Sequence, residues 1–259
     1  VFVFVVDSLR RDYLSPYNPA VTFTPAIQQF ANESTTFTRA FTRYGATGLS
    51  VPSIWVGGMV LHKQYVLPFA PMNSLHDLLS HHGYRRWMSM DNIVEIIMPR
   101  DGSLDEIDRG VGVGDFRMCA SIDDVRKRLD RLAADPAPTF VWSLPQDVHV
   151  AVLNREGNAP VDGQNYDGSY APYASRVRRF DECFGGFVND LKAKGLYDDS
   201  LIVLTSDHGD SLGEEGRWGH AYTLFPEVVQ VPLVVHLPAY ARAGLDTDPA
   251  QLAFTTDIT

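Results

Sequence analysis

Two short apolar runs, Phe2-Val3-Phe4-Val5-Val6 and Leu201-Ile202-Val203-Leu204-Thr205, lead almost directly into aspartates, Asp7 and Asp207. A strand that is apolar at nearly every position needs cover on both faces. That is the pattern of a parallel sheet packed between helices. In open sheets of this kind, ligands sit beyond the carboxyl ends of the strands. Asp207 belongs to the run Ser206-Asp207-His208-Gly209-Asp210. If the two strands are neighbours, Asp7, Asp207 and His208 converge. Two carboxylates and an imidazole suit a divalent transition metal. An aspartate after a strand also serves as an ordinary turn residue, so spacing alone leaves both readings open.

The rest of the chain alternates strand-like and helix-like segments. Pro25–Asn32 reads as a short helix with Thr24 as its N-cap. Ser74–His82 reads as an amphipathic helix closed by Gly83. Ser121–Ala134 is a third helix, with Ile122, Val125, Leu129 and Leu132 on one face. The longest helix covers Tyr173–Lys194, with Val177, Phe180, Phe184 and Phe187 facing inward. Further strands are expected at Arg86–Met90, Thr139–Leu144 and Val231–Leu237, and a surface loop at Asn154–Tyr170. This order predicts one three-layer α/β/α domain over residues 1–259, with a mostly parallel sheet.

Composition narrows the partners. The 22 basic and 32 acidic residues give a net charge of −10. No basic face for a nucleic-acid backbone is expected from that balance, so no nucleic-acid partner is expected. An anionic substrate would have to be attracted locally, through a metal. Cys119 and Cys183 make no scaffold and lack zinc-type spacing, which leaves the redox compartment open.

The stretch Ser206–Pro238 (SDHGDSLGEEGRWGHAYTLFPEVVQVPLVVHLP) closely resembles the sulfatase family of the alkaline phosphatase superfamily. The opening VVDSLRRDYLSPYN, the following TPAIQQFANESTTFTRAF, Gly83-Tyr84-Arg85 and Phe140–His149 are similar to further family segments, in family order. The resemblance implies an alkaline-phosphatase-like fold and an anionic ester substrate. It also implies metal ligands at Asp7, Asp207 and His208. His149 and His220 match histidines that bind the substrate's anionic group, assist proton transfer or hold a second metal. Asn92 falls where the family places a substrate-binding lysine or asparagine.

The nucleophile is expected in Tyr44–Ile54. Formylglycine-dependent members of the family carry Cys or Ser in a C/S-x-P-x-R pattern. Here Ser50-Val51-Pro52-Ser53-Ile54 has isoleucine in place of the arginine, and neither cysteine lies in such a pattern. An unmodified hydroxyl is therefore expected. Thr47-x-x-Ser50-Val51-Pro52 resembles the nucleophile segment of phosphoethanolamine transferases, which favours Thr47. Pro52 is tolerated best in a helix's first turn, which favours a helix starting after Ser50, with Ser50 as cap or nucleophile. Both candidates stay open on sequence grounds. His208 as a ligand shifts the expected metal from calcium toward manganese or zinc.

Hydrolysis of a sulfate or phosphate ester is the expected reaction. The alternatives are a phosphoethanolamine- or phosphoglycerol-type transferase of envelope lipids or glycans, and a sulfatase-like binding domain without activity. Both ends of the chain read as cut from a longer protein, so membrane association would depend on segments outside it. The resemblance implies a periplasmic, envelope or extracellular setting.

Overall fold

The computed structural model describes residues 1–60, 69–99, 102–108, 119–135, 137–154, 170–221 and 223–259. Its centre is a seven-stranded sheet. In chain order the strands are β1 (Phe2–Val5), β2 (Thr35–Thr36), β3 (Arg85–Ser89), β4 (Leu104–Ile107), β5 (Thr139–Ser143), β6 (Ile202–Thr205) and β7 (Leu233–His236). Their order across the sheet is β2-β7-β6-β1-β5-β3-β4. The five strands from β6 to β4 run parallel. The mostly parallel expectation holds, with one qualification: β7 pairs antiparallel with β6, and β2 antiparallel with β7, which makes the sheet mixed.

The apolar runs behave as their composition demands. Phe2 and Phe4 face one core; Val3 and Val5 face the other. The first core is covered by helices α1 (Pro25–Asn32), α4 (Ala120–Ala134) and α5 (Ala171–Ala193). The second is covered by α2 (Thr47–Val56) and α3 (Ser74–His81). The result is the three-layer sandwich expected. On α5, Phe187 meets Phe2 and Phe4 edge-on, with ring centroids 5.1 and 4.9 Å apart. Each such pair adds about 0.5–1.5 kcal/mol beyond the area buried. Among the described residues, no helix is long and apolar enough to cross a membrane.

Several local expectations are corrected. Thr24 precedes α1 but does not cap it with its side chain. Its hydroxyl lies 2.7 Å from Ser15 Oγ. The buried carboxylate of Asp181 on α5 accepts the amides of Ala26 and Ile27 instead, at 3.1 and 2.7 Å. A tertiary contact supplies what a local cap would have supplied. The strand expected at Arg86–Met90 is shifted by one residue to Arg85–Ser89. Gly83 closes α3 in the left-handed region, with φ 68°. Of the loop expected at Asn154–Tyr170, residues 155–169 lie outside the described residues. Cys119 and Cys183, left unassigned by their spacing, form a disulfide between the start of α4 and the middle of α5.

Candidate metal centre

The strand register builds the site. β1 and β6 pair Val5 with Thr205, so Asp7 and Asp207 emerge side by side. Asp7, Asp207 and His208 are all buried, with ligand-capable atoms within 4.8 Å of one another. Asp207 Oδ1 accepts the amides of Ser8 at 3.2 Å and His208 at 2.9 Å. Its Oδ2 is buried with no hydrogen-bond partner. His208 Nδ1 lies 2.9 Å from the Gly209 carbonyl. A carbonyl can only accept, so Nδ1 carries the proton and Nε2 presents a lone pair. That Nε2 lies 3.4 Å from Asp207 Oδ2 and 3.8 Å from Asp7 Oδ1.

The electrostatics describe a site short of positive charge. Burial pulls His208 down to about 4, leaving it neutral near pH 7. Burial pushes the Asp207 carboxyl up to about 6. Asp7 is raised by burial first and by the Asp207 charge second. Three acceptor groups converge with no cationic side chain between them, and Asp207 Oδ2 has no hydrogen-bond partner. A divalent cation fits this donor set and would reverse the cost of enclosing it.

Thr47 and Ser50 part company here. α2 begins at Thr47, not after Ser50, so Pro52 lies inside the helix. The proline donates no amide bond and sets its ring against the preceding turn, but the helix is tied down on both sides of it. The Leu49 and Ser50 amides donate to Ala46, and the Gly57 amide donates to Ile54. Thr47 Oγ1 lies 3.1 Å from His208 Nε2. The Ser50 hydroxyl is fully buried; it donates to the Tyr44 carbonyl at 2.8 Å and lies 3.1 Å from the Thr42 hydroxyl. The structure therefore brings Thr47 to the carboxylate cluster and turns Ser50 away from it. Ala46 offers α2 no side-chain cap, so the positive end of the helix dipole is at Thr47.

A second cluster adjoins the first. His149 Nδ1 is 3.0 Å from Asp210 Oδ2, and His220 Nδ1 is 2.7 Å from Asp210 Oδ1. Asp210 is fully buried. At these distances the Nδ1 atoms bond the carboxylate directly, which leaves each Nε2 on the far side of its ring. Burial opposes charge on His149, but the bond to Asp210 and the nearby carboxylates outweigh it and lift His149 to about 9. Burial likewise opposes charge on Asp210, yet the two histidines hold its carboxyl well below the usual range. The clusters touch: the His149 and His220 rings are 4.8 Å apart, the His208 and His220 rings 4.1 Å.

Three contributors escaped the sequence reading. Asp210 stands three residues after Asp207 in the same run, which is the one signal that could have found it. Ser8 is buried in the left-handed region with φ 63°, a conformation that costs a non-glycine residue about 1–3 kcal/mol. Its hydroxyl lies 3.0 Å from Asp7 Oδ1 and 2.9 Å from His149 Nδ1, joining the two clusters. Tyr173 holds that turn from α5: its hydroxyl donates to the Ser8 carbonyl at 2.6 Å and accepts the Arg10 amide at 2.8 Å. Asn92 is exposed in the turn after β3, and neither cluster includes it. Its neighbour Asp91 caps the following turn, accepting the Ile93 and Val94 amides at 2.9 and 2.7 Å, and its carboxyl is raised chiefly by burial.

A family model described as Sulfatase matches residues 1–256. The low-salt glycan biosynthesis sulfotransferase Agl7 of Haloferax volcanii is 37% identical over 83 residues, 30% of this chain and 19% of that protein. The choline-sulfatase of Rhizobium meliloti is 35% identical over 92 residues, 36% of this chain and 18% of that protein. The chain thus covers less than a fifth of each. Among solved structures, the lipoteichoic acid synthase LtaP of Listeria monocytogenes superposes with a TM-score of 0.70 at 15% identity, covering 100% of this chain and 69% of that one. The C-terminal periplasmic domain of EcEptC from Escherichia coli, in complex with Zn, gives 0.72 at 14% identity over 99% and 79%. The soluble domain of lipooligosaccharide phosphoethanolamine transferase A from Neisseria meningitidis gives 0.71 at 16% over 99% and 85%. With an alkaline-phosphatase-like sheet and a family match over nearly its whole length, this chain belongs to the sulfatase family of the alkaline phosphatase superfamily.

Proposed function

We propose that the chain cleaves sulfate or phosphate esters with a divalent cation and Thr47 as an unmodified nucleophile. The observation that carries this reading is the Thr47 hydroxyl, at the uncapped start of α2 and 3.1 Å from His208 Nε2, beside the orphaned Asp207 Oδ2. A cation held by Asp7, Asp207 and His208 would supply Lewis-acid polarisation and favour the alkoxide form of the hydroxyl. The start of α2 offers backbone amides and a positive dipole end to the substrate's non-bridging oxygens.

The second cluster supplies the remaining roles. Asp210 fixes Nδ1 of His149 and His220, so each presents Nε2 to the substrate. His149, protonated near neutral pH, steadies an anionic oxygen or protonates the departing alcohol. In the first half-reaction the Thr47 oxygen bonds to sulfur or phosphorus, the ester oxygen leaves, and that oxygen takes the proton. In the second, water attacks the Thr47 adduct and restores the hydroxyl. Substitution of an acceptor alcohol for water turns the same covalent intermediate into a transferase cycle. The threonine beside Ser50-Val51-Pro52 favours keeping that reading, and phosphoester over sulfate ester chemistry with it.

A compartment outside the cytoplasm, periplasmic or extracellular, fits this reading, and the Cys119–Cys183 bridge supports it, because such bridges persist in oxidising surroundings. The test is a panel of nitrophenyl sulfate, phosphate monoester, phosphate diester and phosphonate, with manganese or zinc, beside Asp207→Ala. Metal-dependent turnover lost in the variant supports the reading, and the preferred ester names the substrate class. Absence of both turnover and bound metal would favour a binding domain without activity.

A further inference from the structure

The disulfide lies outside the chemistry just described, yet it connects to it. Cys119 and Cys183 are 64 residues apart in sequence, with Cα atoms 6.0 Å apart. Cys119 occupies the N-cap position of α4 in the left-handed region, with φ 68°, and its side chain makes no capping bond. That position favours serine, threonine, aspartate or asparagine; here the sulfur is committed to the bridge. The Cys119 amide donates to Asp147 Oδ2 at 3.2 Å. Arg176 of α5 donates to the Asp147 carbonyl, also at 3.2 Å. Asp147 is buried, its Oδ1 has no hydrogen-bond partner, and it lies two residues before His149. The loop that delivers His149 to Asp210 therefore hangs on the Cys119 turn from one side and on α5 from the other, and the disulfide joins those two supports.

We propose that the Cys119–Cys183 disulfide is a positioning element of the site, and that its reduction lowers turnover reversibly by loosening the His149 loop. The proposal rests on the role given to His149 above. With the bridge open, Cys119 is no longer pinned in its left-handed turn, and its amide no longer fixes Asp147. The carboxylate cluster is anchored separately, through the pairing of β1 with β6. Reduction by a trialkylphosphine balances as follows. Phosphorus attacks the sulfur of Cys183, the more exposed of the two cysteines, and Cys119 leaves as a thiolate and takes a proton. Water then hydrolyses the sulfur–phosphorus adduct, giving the Cys183 thiol and the phosphine oxide.

The experiment compares oxidised, phosphine-reduced and reoxidised protein, each loaded with manganese, together with the Cys119→Ala/Cys183→Ala double variant and Asp147→Ala. The expected result is a tenfold to hundredfold lower kcat in the reduced form and both variants, the range found for groups that orient a site residue, with a smaller change in KM. Reoxidation restores kcat, and bound manganese is unchanged throughout. Amide exchange in residues 148–153 speeds up at least tenfold on reduction, while exchange in Phe2–Val5 stays slow. Equal kcat and equal exchange in the oxidised and reduced forms would overturn the proposal. So would loss of manganese with exchange rising throughout the chain, which would make the bridge a support of the whole fold. If the oxidised protein turns over no ester, the functional reading fails instead, and the exchange comparison alone decides the tether.

Discussion

Asp7 and Asp207 stand abreast because Val5 and Thr205 are partners in adjacent parallel strands. The candidate metal centre is thus a product of sheet register. A slip of one residue would turn one carboxylate to the opposite face, so the fold and the donor set are specified together.

The two hydroxyls of α2 are separable by substitution. Thr47→Ala should lower kcat about a thousandfold or more, since the reaction would lose its attacking oxygen. Ser50→Ala should keep most of the activity and lose about 1 kcal/mol of stability, because its hydroxyl serves the Tyr44 carbonyl. Mass spectrometry of protein quenched during turnover should find the adduct on the peptide containing Thr47, and should still find it in Ser50→Ala. An adduct on Ser50 would reverse the assignment.

Asp210→Asn should separate the second cluster from the first. His149 and His220 bond different oxygens of Asp210, and in asparagine one of these positions becomes an NH2 that only donates, so one of the two bonds is lost in this geometry. The expected result is a kcat lower by about a hundredfold, with manganese affinity at Asp7, Asp207 and His208 nearly unchanged. Isothermal titration beside steady-state kinetics reads both. Metal loss equal to the activity loss would mean that Asp210 serves the carboxylate cluster.

The pH profile should be bell-shaped. Metal binding needs the Asp207 carboxylate, which burial raises to about 6 in the metal-free site, so metal affinity should rise through that pH and activity at limiting metal should rise with it. His149 loses its proton near 9, and activity should fall above it. Stability of the metal-free protein gives an independent check. His149 titrates at about 9 in the fold against 6.5 ordinarily, with burial opposed and outweighed by its bond to Asp210. Its contribution is full below pH 6.5 and disappears as the pH rises through 9. The Tm measured in chelator should therefore fall over that window, and His149→Gln should flatten the slope.

Gly209→Ala should fail by collision. A Cβ at Gly209 would lie 2.1 Å from the Glu227 carbonyl oxygen and 3.2 Å from Arg10 Cγ. The first of these is backbone and cannot swing aside. A loss of about 2–3 kcal/mol is expected, read as a lower midpoint in urea, together with weaker metal binding because His208 is the neighbouring residue.

The sheet was legible because the buried strands advertise themselves: Phe2–Val5 and Ile202–Thr205 are apolar almost throughout, and a carboxylate follows each. Asp7, Asp207 and His208 lie together as their positions after those strands suggested. The antiparallel direction of Leu233–His236 was not legible, since an apolar run reads alike in both directions. Pro52 misled the reading of α2, because a rule of local propensity gave way to a helix held at both ends by backbone bonds. Asp181 capping α1 and Tyr173 bracing Ser8 are contacts across more than 150 residues. Periodicity carries no trace of such pairs.

The position of β1 has a consequence for the making of the protein. β1 precedes both of its sheet partners in the chain, and both its faces are apolar. Its partner Thr139–Ser143 follows some 140 residues later, and Ile202–Thr205 some 200 residues later. At 5–20 residues per second, the second wait lasts roughly 10–40 s. Throughout that interval the nascent chain exposes a sticky, incomplete ribbon. Unpaired apolar strands of this kind are prone to associate with other chains, so the long separation between β1 and its partners makes early folding the aggregation-exposed stage.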